Sequence, residues 1–193
     1  MIASLTVHEW AHAWTADRLG DPTARMLGRV SFNPMVHIDV IGTIVLPLIA
    51  FFSNLPVLGW AKPVPVNINR LRHPKRDFMI VAAAGPASNL VMAGLAAAAF
   101  NVIVPDEAVV LTGAATVLLL AIRLNVLLAV FNMIPIPPLD GGNVLAGLLP
   151  DRMGGVIQGL RQFGFIILYL MLFSGILWQI VEPPYEFILG LLL

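Results

Sequence analysis

The chain has 193 residues, of which 59% are hydrophobic and 11% charged, against roughly 25% charged in ordinary soluble domains, so the composition describes a membrane protein. Eleven basic and eleven acidic residues cancel, so the net charge gives no electrostatic case for nucleic-acid binding. Cysteine is absent, which excludes disulfides, thiolate metal sites and thiol nucleophiles and leaves any metal to His, Asp or Glu.

Residues 1–19 predict a helix that stops near Gly20, with Asp21-Pro22 beyond it as a stop signal. Only MIASLTV precedes His8, far less than the roughly 20 residues that span a bilayer as helix. The N-terminus lacks the basic start and apolar run of a signal peptide; either upstream residues are missing, which is the preferred reading, or the first helix crosses only partly. Residues 20–39, with Arg25, Arg29, Asn33-Pro34 and Asp39, read as an interfacial segment or loop. The stretch IGTIVLPLIAFFSNLPVLGW (41–60) is apolar enough to enter a bilayer but is interrupted by Pro47, Asn54, Pro56 and Gly59. It is either a poor span or a re-entrant element. The next segment, AKPVPVNINRLRHPKRD (61–77), carries Lys62, Arg70, Arg72, Lys75 and Arg76 and is cytoplasmic by the positive-inside rule. Re-entrance of 41–60 would put Arg18, Arg25 and Arg29 on that same side, and is the preferred reading.

A long apolar helix is predicted from about Phe78 to Val104, opening with AAAGPASN, whose small residues permit close helix packing. After an acidic turn at 105–107, residues 108–134 make another span that finishes in FNMIPIPPLDGGN. Pro135, Pro137 and Pro138 cannot continue a regular helix, so Asp140 falls on irregular backbone just past a membrane helix, tolerated there only if buried in protein or facing water. A last span is predicted at 163–181, and the tail YEFILGLLL is too short to cross and lies on the surface or against the bundle. The fold expected is an all-α polytopic membrane protein. It is a bundle of about four to six transmembrane helices with short interfacial or re-entrant β-like segments, forming one domain over 1–193 with an incomplete first helix.

His8-Glu9-Trp10-Ala11-His12 fits the pattern H-E-x-x-H. Four residues on a helix is about 400° of rotation, so both imidazoles share one face and can pinch one zinc, with the glutamate angled toward a bound water. Such short patterns also arise by chance. Within lipid, however, unpaired polar side chains are costly, and a clustered His pair plus Glu is functional by default. Trp10 and Trp14 read as packing or interface anchors. A catalytic zinc usually has three protein ligands and an open position, so a carboxylate is wanted. The candidates are Asp140, Asp39, Asp106, Glu107, Glu182 and Glu186, and Asp140 is preferred for its place at the end of a span, between prolines and Gly141-Gly142. Its alternative role is an N-cap of the following helix. His37, in FNPMVHID, is either a partner near the site or a histidine packed in a turn, and is left out of the ligands. His73 reads as solvated, and Ser88 and Asn89 as bonding between helices.

The motifs HEWAH in a first hydrophobic segment, AGPASN opening a long helix and FNMIPIPPLDGGNVL after another span resemble the site-2 protease family of intramembrane zinc metalloproteases. GDPTARMLGRVSFNPMVHIDVIGT and GWAKPVPVN resemble its small branch without a PDZ domain, and the match covers roughly residues 5–150. The short N-terminus departs from the family pattern. The resemblance implies His8, His12 and Asp140 as ligands to one Zn2+ per chain, Glu9 as general base and acid, and Asn132 as a catalytic residue that polarises or positions the substrate. It implies a multi-pass protein of a bacterial or archaeal cell membrane whose partners are the lipid bilayer and a transmembrane protein substrate, cut near the cytoplasmic side in regulated intramembrane proteolysis. A non-catalytic metal-binding scaffold or chaperone of the same fold is the alternative, against which Glu9 speaks, since zinc binding does not need it. A metal or proton transporter would spread polar residues along several spans, whereas here they gather at two. Because a helical substrate hides its carbonyls, the segments around 26–39 and 62–68 are further expected to offer an edge to an unwound strand.

Overall fold

The computed structural model describes all residues except 46–47, 50–51, 54–60 and 105–112. Among the described residues it is helical, without strands. The helices are α1 (Ile2–Arg18), α2 (Thr23–Met26), α3 (Pro74–Ile103), α4 (Gly113–Asn132), α5 (Asp140–Leu148), α6 (Gly154–Phe173) and α7 (Ile176–Leu192). Of these, α3, α4 and α6 are long and apolar enough to cross a membrane, while α1 and α7 have 17 residues each. The chain forms two compact units, Ile2–Gly85 and Pro86–Leu193, the second including Met1.

In the first unit, α1 buries a face made of Ser4, Thr6, His8, Glu9, Ala11, His12, Ala13 and Ala16. That face holds no large apolar side chain, so α1 is built to carry polar groups inward rather than to fill a core. The helix ends where the sequence predicts. Asp21 N–H bonds the Ala16 carbonyl at 2.9 Å and Gly20 N–H bonds the Asp17 carbonyl at 3.2 Å, with Gly20 at φ +113°, the paired closure that a left-handed glycine allows. The short α2 ends on the same pattern, Arg29 N–H to Ala24 O at 2.8 Å and Gly28 N–H to Arg25 O at 2.9 Å.

The segments expected to be β-like hold bends, a 3-10 turn at Pro34–Val36 and a second at Ile68–Arg70. They are tied together by Lys62 N–H to the His37 carbonyl at 2.8 Å and by Asp21, which is fully buried and accepts the Asn67 N–H at 2.6 Å. Buried charged side chains thus act beside this backbone bond in holding the segments in place. Residues Val40–Val45 form a π-helical turn; most of the rest of 41–60, and with it the choice between crossing and re-entrance, lies outside the described residues, as does the turn at 105–107. Helix α3 begins at Pro74, four residues before the apolar run, because its start is set by capping chemistry: proline suits the first helical position, and buried Asp77 accepts the His73 N–H at 2.8 Å.

The second unit has two apolar clusters. In one, Ala93 and Ala97 of α3 pack with Ile122 and Val126 of α4 and Leu189 of α7; the small residues let the backbones approach closely. In the other, Ile134 packs with Leu168 of α6 and with Leu177 and Val181 of α7. Asn89, fully buried, donates through Nδ2 to Asn125 Oδ1 at 2.8 Å, and Asn125 donates to the Ala121 carbonyl at 2.8 Å. This is the bond between helices expected of Asn89, and such bonds contribute about 0.6–2 kcal/mol in membranes. The last span differs from the expected 163–181. Gly175 adopts φ +77° and divides the apolar run into α6, ending at Phe173, and α7, starting at Ile176. Hydropathy is continuous through this break, and only the backbone reveals it. The tail belongs to α7 and packs on the bundle through Leu189.

Candidate metal centre

Helical spacing does for His8 and His12 what the motif requires. Their Nε2 atoms lie 3.1 Å apart, with ring centroids 4.7 Å apart and planes at 83°, and both residues are buried. His12 Nδ1 lies 2.7 Å from the Val81 carbonyl oxygen. A carbonyl only accepts, so Nδ1 carries the proton and a neutral His12 presents its lone pair at Nε2. Orientation of a ligating imidazole by a carbonyl on its other nitrogen is the usual support of a metal site.

The donor pair fits zinc. Two nitrogens at about 2.0–2.1 Å from a tetrahedral ion stand about 3.3 Å apart, close to the separation found. Space at this spot is kept by Gly85 on α3: a Cβ there would sit 2.6 Å from His8 Nε2 and nearer still to His12 Nε2. Any side chain at 85 would occupy the ground next to both lone pairs. Glu9, between the two histidines on α1, is buried. One turn of sequence thus supplies two imidazole nitrogens and one carboxyl group away from bulk water.

Asn132 and Asp140 bracket the proline loop of the second unit. Asn132 is the last residue of α4, and its Nδ2 donates to the Leu128 carbonyl at 2.9 Å. Asp140 is the first residue of α5, one position past the N-cap Leu139, so it stands in the first turn, where the helix dipole favours a carboxylate, rather than capping. The loop is held on both sides by the absence of side chains. A Cβ on Gly142 would press on Pro137, one on Gly141 would run into the carbonyls of Met133 and Ile134, and one on Gly164 of α6 would strike the Pro137 carbonyl. Of the other acidic candidates, Asp39 Oδ1 accepts the Gly42 N–H at 2.7 Å, Glu182 and Glu186 are exposed on α7, and 106–107 lie outside the described residues.

His37 is a histidine packed in a turn: it is buried, and its Nε2 donates to the Ser31 carbonyl at 2.8 Å. His73 is exposed. Trp10 stacks between Phe32 at 4.6 Å and Trp14 at 5.8 Å. Three residues escape a reading of the sequence. Arg29 is buried and donates to the carbonyls of Val36, Lys62 and Pro63. Burial pulls its pKa below the usual guanidinium range, and the charge of Glu9 opposes that shift. Asn125 and Gly85 are the other two. An amide inside the apolar run LNVLL is a usable signal for Asn125, whereas nothing local marks Arg29 as buried or Gly85 as facing histidines.

Comparison with known proteins agrees with this chemistry. Residues 98–174 match the model of peptidase family M50. Relatives carrying the name "Putative zinc metalloprotease" include YwhC of Bacillus subtilis, 36% identical over 99% of this chain and 88% of its own length. Rip2 of Mycolicibacterium smegmatis is 32% identical over 90% of this chain and 64% of its own length, and Rip2 of Mycobacterium tuberculosis 30% over 88% and 63%. No solved structure matches. A buried, correctly spaced imidazole pair on a helix of a membrane chain, together with these relatives, establishes that the protein belongs to peptidase family M50, the site-2 proteases, and is a membrane-embedded zinc metalloprotease.

Proposed function

We propose that the chain is an intramembrane endopeptidase in which His8, His12 and Asp140 hold one zinc ion and Glu9 moves the protons of peptide hydrolysis, the whole of 1–193 acting as one metalloprotease domain. The observation that carries this is the Nε2 pair at 3.1 Å facing a glycine on α3. Asp140, in the N-terminal turn of α5, supplies the missing oxygen donor, and the glycine-packed loop limits its motion. Zinc held there supplies Lewis acidity toward water and toward the scissile carbonyl. Glu9 takes a proton from the attacking water at its carboxylate and delivers it to the nitrogen of the leaving amine, so the peptide bond breaks as a carboxyl and an amine form. Asn132, at the end of α4, orients the scissile bond through its carboxamide.

The substrate class follows from where the site is built. Polar groups on α1 are buried in a chain whose described residues include three apolar helices of membrane-spanning length, which suits a peptide that is itself in the membrane. We place cleavage in or near transmembrane helices, at the cytoplasmic side of a bacterial or archaeal cell membrane, in regulated intramembrane proteolysis. Purified protein in detergent, given a single-span substrate with soluble tails, is expected to yield fragments whose masses put the cut within the span or at its edge. Cuts confined to the soluble tails would contradict the proposal.

A further inference from the structure

We propose that the end of the 2–85 unit where α1 stops and α3 starts binds acidic phospholipid headgroups. The two helix ends are joined there: Arg72 N–H bonds the Leu19 carbonyl at 3.1 Å, and a Cβ on Gly20 would lie 3.2 Å from the Arg70 carbonyl and 3.4 Å from Arg72 Cγ. This contact gathers Arg18, from the last turn of α1, with Arg70, Arg72, Lys75 and Arg76, all exposed. Among the described residues, the acidic side chains nearby are not paired with Arg18, Arg70, Arg72 or Arg76. Asp17 pairs with Arg25, Asp21 is buried on Thr23 and Asn67, and Asp77 is buried on the His73 N–H.

The level of this collar is marked by two features. Immediately after Asp77 begins the apolar body of α3, a helix able to cross a bilayer. One turn before Arg18, Trp14 exposes 42% of its surface with the Arg18 guanidinium 5.2 Å above its ring. Indoles gather at the headgroup level, and basic clusters next to a span attract anionic lipid. A phosphodiester is the anion at that depth, and the Arg side chains hydrogen-bond its oxygens.

The test is native mass spectrometry of the full chain in detergent, titrated with phosphatidylglycerol or phosphatidylcholine of the same acyl chains. Wild type is expected to retain phosphatidylglycerol preferentially. The triple variant Arg70→Gln, Arg72→Gln, Arg76→Gln is expected to lose roughly 100-fold of that preference, and added salt to weaken it in wild type. A control, Arg152→Gln with Arg161→Gln, removes charge from elsewhere and is expected to keep the preference. Equal retention of both lipids by wild type, or an equal loss in the control, would overturn the proposal. So would displacement of phosphatidylglycerol by millimolar inorganic phosphate, which would identify a site for free anions instead. Because wild type carries the first comparison, a variant that misfolds leaves the outcome readable.

Discussion

Glu9→Gln is expected to slow cleavage of a transmembrane substrate by about 10²–10⁴-fold, the range in which a positioned general acid–base group acts, while the purified chain keeps its zinc. The glutamine amide has nearly the same shape as the carboxylate but cannot accept a proton from water at neutral pH, and it is not a ligand in the proposed site. Metal content and cleavage therefore separate in this variant. Parallel assays of zinc per chain and of product formation check it, and cleavage equal to wild type would remove Glu9 from the mechanism.

Gly85→Val is expected to do the opposite and lose both together. Already a Cβ at 85 would lie 2.6 Å from His8 Nε2, far inside ordinary contact, and the two further methyl groups of valine enlarge the conflict. The imidazoles can yield only by turning away from one another, and His12 would then also give up its 2.7 Å bond to Val81. The matched control lies nine residues along α3. A Cβ on Gly94 meets nothing within 4 Å, so Gly94→Ala is expected to leave metal and activity intact and to strengthen the helix by up to about 1 kcal/mol. Zinc affinity measured by competition with a chelator reads both. Wild-type affinity in Gly85→Val would show that the space before the histidines is not needed for metal.

Why some of this is legible in the sequence and some is not follows from the range of the forces involved. The spacing of His8, Glu9 and His12 is a property of one helical turn, so its consequence, the paired Nε2 atoms, follows from the five letters HEWAH alone. The stops of α1 and α4 are legible for the same reason, since Gly20 and the prolines after Met133 act on their own neighbours. Gly175 is not, because a glycine within GILW carries no local sign that it will take a left-handed conformation and split an apolar run in two. Arg29 looks like one more basic residue of an interface. Its burial depends on carbonyls 7, 33 and 34 positions away, and no window of sequence contains them. The β-like expectation for 26–39 and 62–68 rests on alternating residues, which fit a pleat but equally fit an extended chain pinned by Arg29 and Asp21. Gly85 falls between these cases: AGP in a span suggests close packing, but that the partner is the pair His8 and His12 is tertiary information.

In the proposed site the carboxylate of Asp140 joins the two imidazoles on one ion. Elemental analysis of purified wild type and Asp140→Ala, after dialysis against a chelator that wild type withstands, measures it most directly. We predict one zinc per chain in wild type and little or none in the variant, with cleavage lost alongside. Undiminished zinc and cleavage in Asp140→Ala would contradict it.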